Sequence, residues 1–143
     1  MTAGRPSMYT PELAKKICKA IATSTDSLKK ICEQNEGFPV KTTIHEWKYD
    51  YPEFAVMYAD AKREQADLFA EEVMEISDDW TLDIVDGEHG PIYLTGKVNR
   101  DRLRVDSRKW IACKLLPKVY GERSEVKSDV TVNVHEKDLE ALR

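Results

Sequence analysis

Carboxylate pairs are the first residues in this 143-residue chain that could do chemistry. Glu71-Glu72 and Asp78-Asp79 supply the hard oxygen ligands with which a two-metal nuclease holds its divalent cations. Within a helical stretch such pairs read instead as a solvated face. Cys18, Cys32 and Cys113 are odd in number and far apart, with no CxxC. They read as reduced thiols, with Cys18 and Cys32 as small core residues. His45, His89 and His135 show no ligand spacing to one another or to a cysteine, so no metal site is expected. Gly87-Glu88-His89-Gly90 reads as a turn and not as a phosphate cradle. No P-loop, GxSxG, HExxH or EF-hand pattern occurs. The expectation is a chain that is not an enzyme and needs no cofactor.

Binding chemistry is the alternative to catalysis. The net charge is −4, which is not that of a strongly basic nucleic-acid binder. The charge is uneven, however. Residues 1–54 hold eight Lys/Arg against seven Asp/Glu, whereas the remainder holds fourteen against nineteen. The N-terminal third is thus the better place to meet DNA phosphates.

The elements that would position those cations are three short helices. Thr10-Pro11-Glu12 opens the first, with a capping hydroxyl, a first-turn proline and an acid at the positive dipole end. Its apolar face is Leu13, Ile17, Ala20 and Ile21, with Lys15, Lys16 and Lys19 largely off it. Asp26 or Ser27 caps a second helix from Leu28 to about Gln34. Gly37 and Pro39 make a turn, and a third helix runs from about Lys41 to Tyr49 with Ile44 and Trp47 inward. Three helices with a tight turn before the third match a helix-turn-helix. The third helix would then present Lys41, Thr42, Thr43, His45, Glu46 and Lys48. Lysine and threonine suit phosphate, and threonine or histidine suits base edges. The same pattern also fits a plain three-helix bundle with a solvated polar face.

Tyr51-Pro52-Glu53-Phe54 starts a long helix over 53–78, about 39 Å at 1.5 Å per residue. Phe54, Met57, Tyr58, Ala61, Leu68, Val73 and Ile76 form its broken apolar stripe. Residues 80–97 break the helical pattern and read as a small hairpin or excursion loop. A last helix from about Asn99 to Leu116 carries Leu103, Trp110, Ile111 and Leu115, and Pro117 ends it. Val126, Val130, Val132 and Val134 alternate with polar residues, which is a strand signal. A lone strand leaves its backbone unpaired. Pairing with the same strand of sister chains around a closed axis removes every edge. The expected fold is therefore mainly α: an N-terminal helix-turn-helix, a long antiparallel helical hairpin forming an oligomeric ring, and a C-terminal β-strand contributing to an intersubunit parallel β-barrel. The expected units are 1–51, 52–120 with the 80–97 excursion, and 121–143. Neither a membrane span nor a secretion signal is expected.

Several of these segments together resemble a known family. Gly4-Arg5-Pro6-Ser7, Ser27-Leu28-Lys29-Lys30-Ile31-Cys32, Thr42-Thr43-Ile44-His45-Glu46-Trp47, Leu103-Arg104-Val105-Asp106-Ser107-Arg108-Lys109-Trp110 and Pro117-Lys118-Val119-Tyr120-Gly121 are similar to terminase small subunits of short-tailed phages. The resemblance spans about residues 3–123, and its most specific part is LRVDSRKW. It implies a homo-oligomeric ring of about eight or nine subunits in the host cytoplasm, a closed cyclic assembly. It also implies binding of double-stranded viral DNA to initiate packaging, and recruitment and regulation of the large terminase ATPase-nuclease. Arg5, Lys29, Lys30, Lys41 and Lys48 are the expected phosphate contacts, with Thr42, Thr43 and His45 setting any sequence preference. Leu68, Val73, Ile76, Arg104, Asp106, Arg108, Trp110, Val130, Val132 and Val134 are the expected oligomerisation residues. Arg104, Asp106, Arg108 and Lys109 are expected in ion pairs within or between subunits. Position 46 is Glu where the family can place a basic residue. The competing reading is a dimeric helix-turn-helix transcriptional regulator or recombinase-associated protein, which needs no ring.

Overall fold

The computed structural model describes residues 8–122 and residue 141. Arg5 and the expected strand with Val130, Val132 and Val134 lie outside the described residues. Helix α1 (Pro11–Ala22) begins at a side-chain cap, where Thr10 Oγ1 accepts from the Leu13 amide at 3.1 Å. Ser27 caps α2 (Leu28–Gln34) by accepting from the Lys30 amide at 3.3 Å. Gly37 then takes φ +85, a left-handed conformation that favours glycine, and α3 (Lys41–Asp50) follows. Tyr51 ends α3 and begins α4 (Pro52–Asp78), so one extended residue makes the corner between them.

The trio packs on the N-terminal half of α4. Ala14, Ile17 and Ile21 of α1, Ile31 of α2, Ile44 and Trp47 of α3, and Phe54 and Ala61 of α4 form one buried core. Aromatic rings lock its base. Tyr9 stacks on Tyr51 at 3.7 Å and meets the Trp47 edge at 5.0 Å, and Trp47 meets Phe54 at 5.7 Å. Gln65 is the buried polar residue of this half. Its Nε2 donates to the Ser24 carbonyl at 2.6 Å and so ties the α1–α2 turn to α4.

The C-terminal half is thinner. Strands β1 (Ile84–Gly87) and β2 (Gly90–Tyr93) pair antiparallel, Ile84 opposite Tyr93 and Gly87 opposite Gly90. They realise the hairpin expected within 80–97. Helix α5 (Thr95–Leu115) returns along α4, and a short α6 (Pro117–Tyr120) closes the described chain. The antiparallel sense follows from three contacts. Lys97 Nζ reaches the Asp79 carbonyl, Arg108 Nε donates to Glu72 at 2.6 Å, and Tyr120 Oη donates to Asp67 at 2.7 Å. The buried residues here are Ala66, Phe69 and Ile76 of α4 and Ala112 of α5.

Helix α5 starts four residues earlier than the pattern predicts. Gly96 lies in the 80–97 stretch that reads as a break, yet a glycine costs a helix only about 1 kcal/mol. Lys97 supports that first turn by pairing with Asp101 one turn on, at 2.7 Å, and with Asp83 at 3.1 Å.

Candidate nucleic-acid interface

With Ile44 and Trp47 buried, the orientation of α3 is fixed. Residues 42, 46 and 49 lie opposite that buried side, one helical turn apart. Tyr49 is 87% exposed there, and Thr42 and Glu46 are exposed beside it. Lys41, His45 and Lys48 form the flank that turns toward α4. The His45 ring lies 6.5 Å from that of Tyr58, and Lys48 Nζ sits 4.5 Å from the Tyr58 centroid. Across the seam, half-buried Lys62 donates to Gln65 Oε1 at 2.6 Å.

These cations feel one another. Burial lowers the pKa of His45, and the charges of Lys48 and Lys41 lower it further. Burial likewise lowers that of Lys62, with Lys48 adding to the effect. Among the described residues, no carboxylate lies within 4.0 Å of Lys41, Lys48 or Lys62. Among the described residues the seam is therefore a basic stripe with no carboxylate in contact, which suits a polyanion.

The other expected DNA contacts are spread more widely. Lys29, Lys41 and Thr42 border one cleft with Phe38, Pro39 and Val40. Lys29 lies 3.9 Å from Glu33 and Lys30 lies 2.9 Å from Asp26. Exposed pairs of that kind are worth under about 1 kcal/mol and exchange readily for phosphate. Thr43 is half-buried. Lys62 and Tyr49 were not among the expected contacts. Lys62 falls on a helix that reads as oligomerisation machinery, and no spacing rule on α3 points to it.

One member of each acidic pair is occupied as structure, and Glu71 and Asp78 are exposed. Glu72 accepts from Arg108, and Asp79 Oδ1 accepts from the Thr81 amide at 3.1 Å. Of the expected oligomerisation residues, Ile76 is buried within its own chain, and Leu68 and Val73 are half-buried. Arg108 pairs internally with Glu72, and Arg104 with Asp101 at 3.3 Å. Asp106 is exposed, and Trp110 is 63% exposed on the side of α5 away from α4. Leu103 shares that side at 55% exposure.

A family model described as bacteriophage Sf6, terminase small subunit-like, matches residues 9–127, which takes in every described helix and the hairpin. The chain belongs to that family. Its role is therefore in phage DNA packaging. Two solved structures similar to this terminase small subunit are crystal structures of single-residue variants of gp1, the terminase small subunit of the bacterial virus Sf6. One is 34% identical, with a TM-score of 0.65, and covers 83% of this chain and 82% of its own. The other is 33% identical, with a TM-score of 0.65, and covers 93% of each chain. No curated protein matches the chain. Among the described residues, no helix is long and apolar enough to cross a membrane.

Proposed function

We propose that this terminase small subunit binds double-stranded viral DNA to initiate packaging, and recruits and regulates the large terminase subunit in the host cytoplasm. It acts as a homo-oligomeric ring of about eight or nine copies, and it is a binding and regulatory protein without a catalytic centre or cofactor. The observation that supports this reading best is a division of labour along the chain. Uncompensated cations gather where α3 meets α4, while Leu103 and Trp110 leave an apolar stripe uncovered on α5. Each subunit makes weak phosphate contacts through Arg5, Lys29, Lys30, Lys41 and Lys48, and Thr42, Thr43 and His45 bias the sequence. Repetition around a ring converts weak contacts into avidity. Val130, Val132 and Val134 would join sister strands in a barrel near the large-subunit docking region.

Native mass spectrometry of the full chain, with and without a phage DNA fragment, tests this. The expected spectrum shows a mass near eight or more subunits that shifts on adding DNA. A dimer would favour a helix-turn-helix regulator. A ring that ignores DNA at low salt would favour a structural adaptor.

A further inference from the structure

We infer that Lys48 and Lys62 form a phosphate clamp across the α3–α4 seam, so that a duplex docks along the seam and not onto the outermost face of α3. The inference rests on the DNA-binding reading above and narrows it: the backbone is held at the seam, His45 is the base-reading residue brought forward, and Thr42 and half-buried Thr43 lie off the contact. Three observations lead to it.

The outermost face of α3 is poorly suited to a polyanion. Glu46 and Asp50 are exposed on it or beside it, and Lys41 and Lys48 lie on the opposite flank. Bringing that face first into a groove would set two carboxylates against flanking phosphates. Rotating the approach toward α4 takes them away and brings Lys41, His45, Lys48 and Lys62 forward.

The clamp is also pre-organised. Gln65 is fully buried and tied to the Ser24 carbonyl, and its Oε1 holds the Lys62 ammonium. Lys48 rests against the Tyr58 ring. Less side-chain freedom is then lost on binding than for lysines free in solvent.

Finally, the charge is unbalanced. Lys97 has Asp83 and Asp101, and Lys30 has Asp26. Lys48 and Lys62 face each other's charge with no described carboxylate, and Lys62 is half-buried while it does so. A phosphodiester oxygen between the two ammonium groups relieves both the repulsion and the desolvation.

The test is fluorescence anisotropy of the full chain against a labelled duplex of mixed sequence, titrated with salt. Lys48→Gln and Lys62→Gln should each weaken binding by roughly tenfold or more near 0.1 M salt, and each should lower the slope of log K against log salt by about 0.9 for every subunit engaged on the duplex. The double Lys→Arg variant keeps the charge and should bind like wild type. Lys15→Gln with Lys19→Gln should change little, because those lysines border Met57, Asp60 and Glu64 on the other side of α4. Wild-type binding with an unchanged slope in both glutamine variants overturns the clamp and leaves the DNA reading standing. A wild-type chain that binds no duplex at low salt overturns both. Circular dichroism reports folding. Should Lys62→Gln disturb it, Lys48→Gln alone decides, since Lys48 makes no described hydrogen bond or ion pair.

Discussion

Glu72 shows how a single residue joins the two halves of the chain. It lies on α4, accepts from Arg108 of α5 at 2.6 Å, and has Thr25 of the α1–α2 turn nearby, which favours its charged form. Burial alone would push its carboxyl up. The Arg108 hydrogen bond, the nearby Thr25 and the Arg108 charge outweigh burial and hold it below its ordinary value of 4.5. A depressed carboxylate pKa means that the unfolded chain binds the proton more readily. The stabilisation is then fully present above pH 4.5 and is lost as pH falls through the folded value. Glu72→Gln should cost about 1–2 kcal/mol at neutral pH, since both partners retain some exposure. Thermal melts across an acid series check this, with the gap between variant and wild type closing below pH 4.5. A gap that stays constant with pH would show that charge is not what Glu72 contributes. Sequence reading placed Glu72 on a solvated face. Its partner lies 36 positions away, beyond any local spacing rule.

At the scale of elements, most boundaries were legible because the signals are local. Thr10-Pro11 starts α1, Ser27 caps α2, Gly37 turns the chain and Pro52 opens α4, each as its side chain dictates. The buried face of α4 was less legible. Phe69 and Gln65 are both buried, yet the pattern singled out neither. A glutamine counts as polar in any periodicity, and its burial depends on a carbonyl 41 positions earlier. The start of α5 was hidden inside the 80–97 stretch that reads as a break in the helical pattern. Its first turn is held by Lys97, whose ammonium joins Asp83 before β1 to Asp101 on α5. The hairpin itself has little else to hold it, since Ile84, Ile92 and Tyr93 are all largely exposed. Lys97→Met should therefore loosen the hairpin locally while the helical core persists. Hydrogen exchange at the Val85 and Ile92 amides is expected to quicken severalfold, with Ile17 and Ile44 unchanged. Equal acceleration everywhere would mean that Lys97 supports the whole fold instead.

At the scale of the whole molecule, the N-terminal helix trio is well buried but the α4–α5 hairpin is not. Leu103 and Trp110 lie seven residues apart, two turns along the same side of α5, and both remain more than half exposed. Asp106 sits between them, and Lys114 approaches the Trp110 ring at 5.8 Å. An apolar pair flanked by charge and left uncovered by its own chain has the composition of a subunit contact, and in a ring it would meet a different surface of the next copy. Covering a leucine or tryptophan of this kind contributes about 1.5–3 kcal/mol per side chain, repeated at every interface of the proposed ring. Leu103→Asp with Trp110→Ser should therefore split the assembly while each subunit stays folded, because neither side chain supports the isolated chain's core. Native mass spectrometry should show the ring mass replaced by monomer, and circular dichroism should show the helical signal retained. DNA affinity should fall with the mass, since phosphate contacts that are weak singly lose their multiplicity. A double variant that keeps its ring mass would move the subunit contact away from α5. Assembly would then rest on the hairpin, or on the C-terminal segment that carries Val130, Val132 and Val134.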